Sequence, residues 1–276
     1  MTLAQQRLPH APPHTLVVGG TGMLRDLCLA LAMRGQVVSV IAQDAARLDA
    51  LRVEAERHGK VIHPLPVDYG HAVQLSNRIR SAQALHGPIT LAVCWVHGDS
   101  PQALPTIAEE LRRGTQSGIR DSAFGIREEE AKSERGEEEG VGSHTHSHTH
   151  THPDPAGAET TKKKRGEVDG RPRLFHLIGS MSTRPEARAA IEKYAASVPE
   201  VAWRRVLLGF KFMKAAGVEH GGMGGTPSGS GALGKAPGGS RWLTHEEIWQ
   251  GTLAAIENDW TESVIGVVSP WAKRPG

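Results

Sequence analysis

The sequence predicts an α/β protein built on a doubly wound, mostly parallel sheet of about seven strands. Three observations carry that expectation. From His14 onward, short β-rich runs alternate with longer amphipathic ones: TLVVGG, MLRDLCLALAMRG, VVSVIA, then a helical stretch from Asp44 to His58. Such alternation marks a parallel sheet joined by crossover helices. The strand-like runs, which recur at VIHPLPV, ITLAVCWV, RLFHLIGS, RRVLLGF and SVIGVVS, are apolar throughout, as strands covered by helices on both faces are. The punctuation between the runs agrees with their periodicity.

Taken in order, helices are expected over about 22–35, 44–58, 70–86, 101–112, 185–197 and 244–258. Gly35 and Gly59 stand where the first two must stop, and Thr244 followed by Glu247 has the spacing of a capping box that starts the last. Between Gly114 and Arg171 the pattern collapses into EEEAKSERGEEEG, SHTHSHTHTH and KKKRGE, with too few apolar groups to offset the entropy of ordering. Residues 114–171 therefore read as a disordered low-complexity insertion, and 220–240, HGGMGGTPSGSGALGKAPGGS, as a Gly-rich flexible loop. Closure entropy grows only logarithmically with loop length, so both interrupt a single domain over 1–276 without dividing it.

The 32 basic and 30 acidic residues leave a net charge of +2, which gives no global field for nucleic acid or a membrane surface. A small-molecule partner is expected instead. Cys28 and Cys94 lie in apolar stretches typical of buried free thiols, which points to a reducing compartment. No run of 18 apolar residues occurs and MTLAQQRLPHAPPH lacks a secretory h-region, so the expectation is a cytoplasmic protein.

The strongest chemical signal is LVVGGTGML at 16–24, an apolar strand feeding a glycine-rich turn that opens into a helix. Gly19, Gly20 and Gly22 would let backbone amides approach a pyrophosphate whose charge the helix N-terminus favours, with Thr21 as a further donor and Met23 beside it. This is a Rossmann-type arrangement. The glycine pattern is broken at Arg25, where a third glycine would allow close helix–strand packing.

Together with PLPVDY and IGSMS, the GGTGML turn resembles the short-chain dehydrogenases/reductases, in an atypical or divergent branch. The resemblance implies a bound NAD or NADP, with Asp68 near the adenine and the loop His97-Gly98-Asp99 bordering the cofactor; the usual N-N-A-G there is missing. At the end of the second strand an acid would bind the ribose of NAD, but the chain offers Ala42-Gln43. Arg25 and Arg47 could meet a 2′-phosphate, a slight preference for NADP, or could be ordinary solvated helix residues.

The resemblance also implies a serine after the fifth strand, where Ser180 and Ser182 stand, and a tyrosine followed four residues later by a lysine. Tyr194 is placed to be that tyrosine, but Val198 occupies the lysine's position and Pro199 cuts the helix short. Lys193 is adjacent and points about 100° away. The candidate catalytic groups are thus Ser180 for substrate positioning and Tyr194 or His97 for proton transfer. The alternatives are half-buried packing for Tyr194 and a turn with a helix cap for His97-Gly98-Asp99. The function expected is an NAD(P)H-dependent oxidoreductase on a carbonyl or alcohol; the alternative is a non-catalytic dinucleotide-binding regulator. A methyltransferase is weaker, since its cofactor has no pyrophosphate for the helix at Gly22.

The alternating histidines from His144 to His152 and the cluster Lys162–Arg165 read as low-complexity solvated tracts, and no metal is assigned. Trp242, Trp249 and Trp260 are expected to pack the C-terminal helix on the sheet. A homo-oligomer is compatible with the family resemblance.

Overall fold

The computed structural model describes residues 12–97, 100–116, 170–179, 185–213 and 239–275. β1 (His14–Val18), α1 (Arg25–Met33), β2 (Val37–Ala42), α2 (Ala45–Arg57), β3 (Ile62–Pro66), α3 (Ala72–His86) and β4 (Ile89–Cys94) alternate through the first part of the chain. A helix, α4, covers 103–116. β5 (Arg173–Ile178), α5 (Pro185–Ser197), β6 (Ala202–Leu208), β7 (Phe210–Phe212), β8 (Ser240–Trp242), α6 (His245–Glu257) and β9 (Glu262–Ile265) follow.

The seven strands expected from the apolar runs form one sheet in the order β3-β2-β1-β4-β5-β6-β9, and every pair in it is parallel. Strand order reverses between β1 and β4, which creates the crevice where doubly wound sheets bind ligands. One face carries α1, α2 and α6, whose Leu27, Leu31, Leu48, Leu51, Ile248 and Ile256 are buried. The other carries α3, α4 and α5, with Leu75, Ile79, Ile107 and Leu111 buried. Both faces are covered, which is why the strands read as unbroken apolar runs.

Local punctuation behaves as expected. Gly35 and Gly59 take φ of 80° and 65° just beyond α1 and α2. Asp44 caps α2 by accepting from the Arg47 amide at 3.1 Å, and Thr244 and Glu247 complete the capping box of α6. The first face also holds an ion pair: Arg204 Nη2 lies 2.9 Å from Asp259 Oδ2, with both side chains at most 7% exposed, and Arg173 adds a contact at 3.3 Å.

Several boundaries are corrected. Gly114 does not end α4, which continues to 116 because Ile107, Ala108 and Leu111 anchor it and the Thr115 hydroxyl donates to the Leu111 carbonyl. Gly170 and Arg171 likewise precede β5 as described chain, and Gly239 leads into Ser240, which opens β8; the rest of both expected insertions lies outside the described residues. The run RRVLLGF splits at Gly209, where a Cβ would meet the Val267 backbone at 2.3 Å, and β7 then pairs antiparallel with β8. Trp249 and Trp260 pack on the core, whereas Trp242 sits exposed in β8, outside the C-terminal helix. Arg112, Thr115, Gln116, Gly170 and Arg171 line one cleft, so the chain leaves α4 and re-enters ahead of β5 at neighbouring points. No helix among the described residues is long and apolar enough to cross a membrane.

Candidate dinucleotide site and the cavity beside it

The glycine turn lies at the carboxyl end of β1, against the reversal of strand order. Gly19 has φ +79°, and a Cβ there would stand 2.7 Å from the Trp95 carbonyl oxygen; only glycine fits. Its amide donates to the Ile41 carbonyl at 2.9 Å, which ties the turn to β2. Gly20 is closed in by Val40 and Cys28, at 2.5 and 2.9 Å from its missing Cβ. Gly22 is the opposite: nothing lies within 4 Å of its missing Cβ. The turn is thus packed below and open above, at the amino end of α1, where free amides and the helix dipole favour an anion. Met23 packs partly against the core beneath, and Thr21 is half-buried at the rim. These residues fit a pyrophosphate.

At the ends of β2 and β3 the structure brings Gln43 and Asp68 together. The Gly70 amide, at 2.8 Å, and then the Gln43 side chain hydrogen-bond the Asp68 carboxylate and hold its pKa below the usual value. Arg25 does not face a 2′-phosphate: its guanidinium is taken by Glu54 of α2, with Asp26 alongside. That pairing also explains the broken glycine pattern, since the side chain at this position bridges two helices. Arg47, 70% exposed, lies 3.2 Å from Asp44.

Beyond β4 the residues converge less completely. Ser180, Ser182, Gly98 and Asp99 lie outside the described residues. His97 is exposed at the carboxyl end of β4, its ring edge-on to Trp95. Tyr194 is half-buried on α5, edge-on to Trp203, and its hydroxyl donates to the Pro105 carbonyl at 3.2 Å. Burial, with the Glu109 charge adding, pushes its phenol pKa up, and Val198 at the fourth position offers no cation to oppose this. His97 and Tyr194 nonetheless border one space: both line a cavity of about 640 Å³ between β5, α4 and α5.

Three residues at this end escape a linear reading. Trp95 spans the crevice, its carbonyl against Gly19 and its indole 2.9 Å from where a Gly179 Cβ would stand. It was expected inside the fourth strand, which ends one residue earlier at Cys94. His176 and Trp203 line the cavity, and His176 Nδ1 and Trp203 Nε1 are buried with no hydrogen-bond partner among the described residues. Leaving such a group unpaired costs about 1–3 kcal/mol. Burial lowers the His176 pKa to about 4. The available signal is a histidine inside the otherwise apolar run LFHLI.

Sheet order, helix placement and glycine turn together define a doubly wound nucleotide-binding fold. Solved structures refine this. An alcohol dehydrogenase from the archaeon Thermococcus sibiricus complexed with 5-hydroxy-NADP superposes with a TM-score of 0.53 at 12% identity, covering 96% of this chain and 99% of that one. An NADH-dependent reductase, A1-R′, complexed with NAD gives 0.55 at 10% identity, over 93% and 95%. A short-chain dehydrogenase from Sphingobium yanoikuyae in complex with NADPH gives 0.52 at 13%, over 94% and 91%. The chain has the fold of the short-chain dehydrogenases/reductases. No protein-family model matches its sequence, and no curated protein matches it.

Proposed function

We propose that this chain is a divergent short-chain dehydrogenase/reductase that binds a nicotinamide dinucleotide along the carboxyl edge of its sheet and acts on a carbonyl or alcohol. The observation that carries this reading is the turn at Gly22, open above and set at the amino end of α1 beside the reversal of strand order. The solved structures with this fold support it, since those described above hold NADP-type or NAD cofactors. Gly19, Gly20, Thr21, Gly22 and Met23 would hold the pyrophosphate, and Asp68 and Gln43 the adenosine end. The bound cofactor would supply the hydride.

His97 is the better proton donor of the two candidates. It is exposed at the carboxyl end of β4, whereas the Tyr194 proton is engaged by Pro105 and Val198, not a lysine, stands four residues on. Ser180, by its place after β5, would position the substrate. NADP is slightly preferred because Gln43, not an acid, follows β2 and Arg47 stands exposed just beyond. The buried thiols of Cys28 and Cys94 are in keeping with a cytoplasmic setting.

Calorimetric titration with NADPH, NADH and S-adenosylmethionine tests the reading. Micromolar nicotinamide binding, about threefold tighter for NADPH, is expected, and Gly22→Asp should weaken it at least 100-fold by filling and charging the open face. Failure of both nicotinamides to bind would leave the fold standing and overturn the function. The alternative to exclude is a dinucleotide-binding regulator without turnover. Turnover of a carbonyl panel that is lost in His97→Ala would exclude it.

A further inference from the structure

We propose that the stacked imidazoles of His63 and His86, with His14 beside them, form a pH-operated latch that holds β3 on the sheet and releases it in acid. β3 is an edge strand, bonded among the described residues to β2 alone. The Val67 amide donates to the Ala42 carbonyl, so by alternation the amides of His63 and Leu65 face β2 while Pro64 and Pro66 stand on the outer side. Their missing donors close that side to a further strand, and β3 is left with one ladder and its side chains to hold it. By register His14, Ser39 and His63 share one face of the sheet with Leu16, Ile41 and Leu65, the face that α3 covers. His86, the last residue of α3, closes on them there: its ring lies 3.8 Å from that of His63, centre to centre and tilted by 32°, and 5.6 Å from that of His14, edge-on.

Each ring has a defined part. The His14 Nδ1 lies 2.8 Å from the Gly87 carbonyl, which only accepts, so Nδ1 carries the proton and Nε2 accepts from the Ser39 hydroxyl at 2.9 Å. His14 is buried, which favours this neutral form and fixes the ring as a base for the other two. Burial lowers the His63 pKa, and His86 and His14 lower it further. The groups around His63 are therefore imidazoles from α3 and β1, with Ser39 of β2 beside it in register; no carboxylate, lysine or arginine of the described residues acts on it. Neutral, or with one proton between them, His63 and His86 can stay stacked. Two imidazolium rings at 3.8 Å repel across a half-buried site. The opened pair escapes both the repulsion and the burial, so it binds protons more readily than the closed one. The latch is thus closed above about pH 6.5 and lets go as pH falls below it. It does not depend on the function proposed above.

The test is amide hydrogen exchange in the full-length protein at pH 7 and pH 5, with rates corrected for the intrinsic effect of pH. The Leu65 amide reports β3, and the amides of β5, in the middle of the sheet, report opening of the whole fold. Between the two pH values we expect Leu65 to lose about tenfold more protection than β5 does. His63→Phe and His86→Phe each keep a ring in the stack while removing a charge. Either should reduce that excess to less than about twofold, and thermal unfolding at both pH values checks that the variants fold. The proposal is overturned if Leu65 and β5 lose protection in parallel in the wild type, a comparison that needs no variant, or if a folded phenylalanine variant keeps the excess.

Discussion

The two faces of the sheet solve the same covering problem differently. Against α1, α2 and α6 the core closes apart from a cleft of about 300 Å³ between α6 and β9, where Ser263 Oγ is buried with no partner among the described residues, and its buried charges are matched: Arg204 and Arg173 meet Asp259, where burial opposes the charge but the guanidinium groups still hold the carboxyl below its usual pKa. Against α4 and α5 a cavity of about 640 Å³ remains, and two buried nitrogens have no partner among the described residues. A domain whose only demand was stability would close such a gap, because voids and unpaired groups each cost of the order of 1 kcal/mol or more. The difference is one of packing: the first face carries its buried ion pair, the second its larger void.

The contrast can be broken by mutation. The largest effect is expected on the filled face, where Asp259→Ala strands Arg204 and should cost about 3–5 kcal/mol by urea unfolding. Next, Leu31→Ala, buried on the filled face, should cost about 3 kcal/mol, while Leu104→Ala, which borders existing space, should cost about 1 kcal/mol. Equal losses would show that the cavity closes in solution.

The third effect is pH-dependent. Burial lowers the His176 pKa to about 4 in the folded chain, against about 6.5 when unfolded. As pH falls through 6.5 the unfolded chain takes up the proton first, so stability is full above 6.5 and declines until the folded pKa is reached. His176→Leu should therefore remove up to about 3 kcal/mol of acid sensitivity between pH 6.5 and 4. His14 and His63, also lowered chiefly by burial, will keep part of the slope in that variant. Smallest of all, Tyr194→Phe loses one half-buried hydrogen bond and should cost about 1 kcal/mol; a larger loss, or a fall in turnover with stability intact, would return the tyrosine to the chemistry.

Much of this was legible in one dimension. Sheet strands covered on both sides announce themselves as apolar runs, and the glycine turn is a local motif whose constraint, the close approach of Gly19 to Trp95, sits within a recognisable pattern. The cavity was not legible, because it is assembled by cross-strand register: Cys94 pairs with His176, and Leu174 with Trp203, across segments far apart in the chain. Arg25 shows the same limit. Its place in the turn suggested a phosphate partner, but Glu54, a turn of fold away, claims it.

One further consequence comes from where the chain departs and returns around residues 117–169. The last residues of α4 and the first before β5 line a common cleft at the amino ends of the strands, across the full height of the sheet from Gly22. Because the described ends meet there, joining Gln116 to Gly170 through a short linker should leave the turn at Gly22 unchanged.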